Sequence, residues 1–167
     1  INNTSDCSDL GYGDYTTTVP AVDLTSGVTY PISVTVGPGG TERVAVWIDY
    51  NQNGDFENNE FHIIGSGNGV TIDSTIAIPV NALPGSTRMR IRVRYNTQIT
   101  GNQACTTFTF GETEDYLVNI VPPPPSSMIN VRRSRCERRY YTRDICTLVT
   151  VMSNRDHGCT VNRLMLF

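Results

Sequence analysis

Lysine is absent from this chain: all 13 of its basic side chains in 167 residues are arginines, a bias for which we have no physical account. Long apolar runs are absent too. No stretch approaches the roughly 18 or more apolar residues of a membrane-crossing helix, so a helical span is excluded. Histidine is scarce, with His62 alone in the first 121 residues. The HExxH, GxSxG and Gly-rich phosphate-loop patterns that carry familiar metal, serine and nucleotide chemistry do not occur. Paired carboxylates are the one remaining catalytic resource, in the manner of glycoside hydrolases. The dense ones fall inside two patterns described below, where structural roles account for them, so the chain is not expected to be an enzyme. It begins at Ile1, with neither a Met nor a signal-peptide apolar core, and reads as a processed or excised piece.

What is present begins with a charge asymmetry. Residues 1–121 hold five Arg against thirteen acids, whereas residues 122–167 hold eight Arg against three. An acidic body argues against nucleic acid as a partner. The five cysteines, Cys7, Cys105, Cys136, Cys146 and Cys159, are an odd number. A Cys7–Cys105 disulfide would tie the N-terminal segment to the end of the body and suit an oxidising compartment; two buried thiols are the alternative. The overlapping sequons in Asn2-Asn-Thr-Ser5 also permit surface glycosylation.

The most informative stretch is Asp49-Tyr-Asn-Gln-Asn-Gly-Asp-Phe-Glu-Asn-Asn-Glu60. It fits every fixed position of the twelve-residue calcium-loop pattern D-x-[DN]-x-[DN]-G-x5-E. Calcium takes about six to eight oxygens, which alternate carboxylates and amides of a curled loop supply. The expected ligands are Asp49, Asn51, Asn53, Asp55 through its carbonyl, Glu57 directly or through water, and Glu60 bidentately. Gly54 permits the sharp turn and Phe56 pins the loop. The preceding run Glu42–Tyr50 is β-branched and aromatic, so the loop leaves a strand rather than an EF-hand helix, which suggests structural Ca2+ more than sensing. The competing reading is an ordinary Asn/Asp/Gly turn.

Helical periodicity is missing from the body, and strand-like runs recur between Gly, Pro, Asn and Asp clusters. Candidate strands are 16–23, 28–36, 42–50, 61–64, 69–79, 86–95, 105–110 and 115–121. The pattern predicts an all-β fold, an antiparallel β-sandwich of the immunoglobulin or jelly-roll kind. In Thr87–Tyr95, residues Arg88, Arg90, Arg92 and Arg94 share one face, and Met89, Ile91, Val93 and Tyr95 the other. The arginine face is expected to be solvated and salt-bridged by cross-strand acids, against the alternative of an anion-binding strip. Trp47 is open to two readings, sugar stacking or burial.

A stiff Pro/Ser linker, 122–127, ends the body. Segment 128–167 is an irregular Arg/Cys-rich tail whose clearest strand candidate is Ile145–Met152. Its cysteines and His157 fit no standard zinc spacing. An artificial appendage, a frameshifted end or a docking segment are the readings it leaves open.

A last motif, Gly111-Glu-Thr-Glu-Asp-Tyr116, is followed by an apolar strand. Together with Gly11-Tyr-Gly-Asp-Tyr-Thr16, Val46–Phe56 and Thr87–Arg92, it makes residues 1–121 resemble the GEVED domain, with Thr113 in the place of valine. The resemblance implies a non-catalytic β-sandwich accessory module of secreted or surface bacterial proteins, with extracellular or cell-surface localisation. Its partners would be a parent surface protein, other copies of the chain, or polysaccharide. Family members usually carry a further strand region ahead of Ile1, so a strand from the tail or another copy is expected to complete the sheet, and a head-to-tail version would build a filament. Glu112, Glu114 and Asp115 crowd three carboxylates together. They are expected either to pair with the strand arginines or to join a metal site, and Asp14 stays open between the same roles.

Overall fold

A computed structural model describes residues 1–124. The expected tail 128–167, its donor strand 145–152, the second half of the linker and three of the cysteines lie outside the described residues. Eight strands form the body: β1 (Tyr12–Asp14), β2 (Val22–Thr25), β3 (Thr29–Thr35), β4 (Glu42–Ile48), β5 (Phe61–Gly67), β6 (Thr71–Ala77), β7 (Gly85–Tyr95) and β8 (Gly111–Val121). Among the described residues there is no α-helix, only short 3₁₀ turns.

The larger sheet runs β1–β8–β7–β4–β5, and β2 also pairs with β8. It is mixed rather than purely antiparallel as expected, because β1 and β2 both run parallel to β8. They meet successive stretches, Thr113–Asp115 and Val118–Val121, and act as one edge strand interrupted by a loop. The interruption explains why the expected strand 16–23 is not continuous. Asp14 Oδ1 accepts from Thr16 N and Thr16 Oγ1, and the Tyr15 carbonyl accepts from Val19 N, which closes a turn where pairing was expected. The second sheet is the antiparallel pair β3–β6.

The main core lies between these sheets. Val44, Val46 and Ile48 of β4, Met89 of β7, and Tyr116, Val118 and Ile120 of β8 join Ile72 and Ile76 of β6 in one buried cluster. The period of two along each strand puts these residues on a common face. β3 covers its share less completely: its inward Tyr30, Ile32 and Val34 are only half-buried.

The opposite face of the larger sheet carries the arginines, and the expectation that it is solvated is corrected here. Segment 96–110 folds over it, so Ala45 and Trp47 pack with Ile99 and Ala104, flanked by Phe56, Phe61 and Phe108. Arg92 is buried beneath this cover and Arg90 nearly so, while Arg88 stays exposed. A charged alternating face tolerates a lid when the lid brings acceptors, and this one does: Arg92 donates to the carbonyls of Gln103 and Thr106. Those carbonyls are thereby diverted from any ladder, and the strand expected over 105–110 is not formed.

Candidate metal centre

The acidic loop leaves β4 at a fixed point. Asp49 N donates to the Arg88 carbonyl at 3.1 Å, and Thr87 Oγ1 donates to the Asp49 carbonyl at 2.7 Å, so β7 holds the first residue of the loop in place. From there the side-chain oxygens turn inward. Asp49 accepts from Asn53 N at 3.2 Å and Gly54 N at 3.1 Å, Asn51 Oδ1 from Asn53 N at 3.0 Å, and Asn53 Oδ1 from Asp55 N at 2.9 Å. Gly54 makes the sharp turn at φ +89°, a region costly for residues with a Cβ. Glu60 closes the loop from its far end, accepting from Tyr50 N at 2.8 Å, Asn51 N at 3.3 Å and Glu57 N at 3.1 Å. Phe56 pins the loop as expected, packing on the outer cluster with the Arg90 guanidinium 5.1 Å from its ring centre.

Of the six residues read as ligands, Asp49 and Glu60 are buried at the two ends of the loop, while Asn51, Asn53, Asp55 and Glu57 are exposed along it. The side-chain oxygens of Asp49, Asn51, Asn53 and Glu60 accept from loop N–H groups, and Glu57 Oε2 accepts from Asn51 Nδ2 at 2.8 Å. Among the described residues no three Asp, Glu, His or Cys side chains converge on a common point, so the inward set is two carboxylates and two amides. That all-oxygen set, at alternate loop positions, fits a hard cation and not a soft one. Each carboxylate oxygen that accepts one N–H keeps further acceptor capacity. Glu60 adds the electrostatic reason: it is 0% exposed, and both ion pairs among the described residues belong to Asp115, so no basic side chain balances Glu60.

The second acidic cluster is divided by strand parity. Asp115 and Thr113 face the arginines. Asp115, fully buried, takes Arg90 through Nε and Nη2 at 2.7 Å each and accepts from Tyr12 Oη at 3.0 Å. This is the arginine pairing expected of the motif, and it holds the Arg90 pKa above its ordinary value. The Tyr12 hydroxyl is pushed up by burial and by the Asp115 charge. Glu112 and Glu114 point to the other face, where among the described residues they pair with no arginine. Glu112 accepts from Ser8 N at 3.1 Å, and Glu114 accepts from Ser5 Oγ and from Tyr116 Oη. Asn3 Nδ2 donates to the same Tyr116 hydroxyl at 2.9 Å. The motif therefore staples residues 3–8 to β8, a role sequence reasoning missed although strand parity alone separates the two sets.

Asp14 serves its local turn, and the hydrogen bonds from Thr16 hold its carboxyl below the ordinary range. Trp47 is fully buried and donates from Nε1 to the Gly101 carbonyl at 3.0 Å, which removes it from sugar stacking. Cys7 and Cys105 are both exposed free thiols. Neither the disulfide between them nor the buried-thiol alternative is present. His62 lies beneath Tyr50, whose hydroxyl is 2.9 Å from Nε2, and burial lowers its pKa.

No curated protein matches the chain. Residues 43–119, spanning the calcium-pattern loop, the arginine strand and the acidic motif, match the model of the GEVED domain.

Proposed function

We propose that this chain is a non-catalytic accessory module of an exported bacterial protein, a β-sandwich stabilised by calcium in the 49–60 loop and used for binding or adhesion outside the cell. The carrying observation is the inward-turned oxygen set of Asp49, Asn51, Asn53 and Glu60, with Glu60 fully buried and without a basic partner. A calcium ion would supply positive charge among oxygens that otherwise repel. The loop joins β4 to β5, so its order bears on the register of two neighbouring strands. The test is melting temperature in calcium and in chelator. A fall in chelator that disappears in Asp49→Ala supports the reading; an Asp49→Ala variant with the full calcium response overturns it.

A second reading, a structural subunit that assembles by strand donation, is favoured by β3. Among the described residues it has one hydrogen-bonded neighbour, β6, and its inward Tyr30, Ile32 and Val34 are half-buried where another strand would cover them. Other copies of the chain are then the partner. Mass per particle by light scattering separates the readings: large oligomers at rising concentration favour the subunit, and a persistent monomer favours the accessory module.

A further inference from the structure

Among the described residues Arg92 is a buried cation that no anion pairs with. It is 5% exposed, and three of its five guanidinium N–H groups go to Thr113 Oγ1 at 3.0 Å, the Gln103 carbonyl and the Thr106 carbonyl at 2.7 Å. None of these acceptors carries charge, and the one buried carboxylate nearby, Asp115, is taken by Arg90. Phe108 stacks on both Arg92 and Arg94, at 3.9 and 4.4 Å, so two cations share one ring. Burial first, then the Arg90 charge, pulls the Arg92 pKa down to about 10, which leaves it protonated at neutral pH. A desolvated charge of this kind is costly unless an opposite charge arrives.

Arg92 lines, with Arg90, an open cavity of about 220 Å³ between residues 10–12 and 104–108. That is below the roughly 300–1,000 Å³ of drug-sized sites and takes a single ring. Its rim is unusual in two ways. Leu10 is fully exposed at φ 60°, backbone strain of the sort retained where it serves a site. Tyr12 shows 45% of its surface, and its hydroxyl is tethered to Asp115, which fixes the ring. The remaining wall includes Thr106, Thr107 and Thr113 together with Ala104 and Phe108.

We infer that this cavity binds a single uronic-acid residue of a polysaccharide, its carboxylate paired locally with the two spare N–H groups of Arg92 and its ring against Tyr12. A guanidinium pairs with a carboxylate through charge-assisted hydrogen bonds, and a hydroxyl-bearing wall suits a sugar better than the apolar end of a peptide. The inference rests on the reading of the chain as a binding module and names its ligand class; it does not depend on calcium occupancy.

The test is ligand-observed saturation-transfer NMR on the full chain, with D-glucuronate as probe, D-glucose as its neutral counterpart and N-acetylphenylalanine as the peptide-carboxylate arm. Each is measured in calcium and in chelator. Saturable glucuronate binding with a Kd on the order of millimolar is expected, with no glucose binding and about a tenfold loss in Arg92→Lys. Because Arg92 also anchors segment 103–106, Tyr12→Ala on the rim is the second variant and decides the matter should Arg92→Lys fail to fold. It too is expected to weaken binding about tenfold. Equal binding of glucose, tighter binding of N-acetylphenylalanine, unchanged glucuronate binding in Tyr12→Ala, or no glucuronate binding in either buffer overturns the inference. A melting temperature indifferent to chelator alongside intact glucuronate binding rejects the calcium reading alone.

Discussion

Arg90 and Asp115 face each other across the β7–β8 ladder and close a two-point ion pair, Nε to Oδ1 and Nη2 to Oδ2, both 2.7 Å, on the covered face of the larger sheet. The Asp115 side chain is 0% exposed and that of Arg90 14%, with Phe56 of the acidic loop above the guanidinium. The pair thus lies between the candidate metal loop and the family motif. Arg90 Nη1 also donates to the Ala104 carbonyl at 3.0 Å, which anchors the lid to the same point.

Breaking this pair from one side leaves a buried charge. Asp115→Asn is expected to destabilise the domain by about 3–5 kcal/mol. Arg90→Met combined with Asp115→Leu is expected to cost less than either change alone, since no charge remains to be desolvated. Urea unfolding of the two single variants and the double variant measures the coupling.

Glu60 separates the backbone role of the loop from its charge. Glu60→Gln retains an acceptor oxygen for Tyr50 N but removes the negative charge. The expected result is a markedly smaller calcium-induced rise in melting temperature; in chelator the relief of an unbalanced buried carboxylate is opposed by the loss of the bond from Glu57 N, where the amide NH2 meets a donor. For scale, saturation at 100 times Kd contributes about 2.7 kcal/mol. A calcium response equal to that of the parent chain counts against Glu60 as a ligand.

Gly111 opens β8 at φ +154°, and a Cβ added there runs into the carbonyl of Val93. Gly111→Ala is expected to destabilise by about 1–3 kcal/mol, through strain and the displaced β7–β8 register. Amide exchange should accelerate first at Val93 and Arg94. Gly54→Ala differs, because open space surrounds its missing Cβ and only the positive φ is penalised.

His62 gives the domain a pH dependence of definite sign. Burial lowers its pKa below the ordinary 6.5, so in the interval between the folded and unfolded values the unfolded chain binds the extra proton. This contribution to stability is complete above about pH 6.5 and is lost as pH falls through the folded value. His62→Gln, which keeps a partner for the Tyr50 hydroxyl, should flatten the fall of melting temperature as the pH drops below about 6.5. An unchanged slope would assign it to carboxylates instead.

Much of the fold is legible in the sequence because its signals are local. The alternation in Thr87–Tyr95 divides β7 into a core face and an arginine face, and Met89, Ile91 and Val93 do join the main cluster. The Asp/Asn/Gly spacing of 49–60 produces the inward turn of Asp49, Asn51 and Asn53, since each of those oxygens reaches a backbone N–H no more than five residues away. The parity of β8 likewise separates Asp115 from Glu112 and Glu114.

What covers each face is not local, and there the sequence reading went astray. Nothing in the spacing of Arg88 to Arg94 says that Ile99, Ala104 and Phe108 will fold back over them, because that choice depends on carbonyls from segment 103–106 reaching a guanidinium in another strand. Nor does the motif at 111–116 announce that two of its acids will hold residues more than 100 positions earlier in the chain. Strand periodicity, the turn chemistry of the acidic loop and the match of residues 43–119 to the GEVED domain follow from residue order alone. Which charges meet follows only from the folded topology, because a buried charge is settled by whichever partner is brought within about 3 Å, not by its neighbours along the chain.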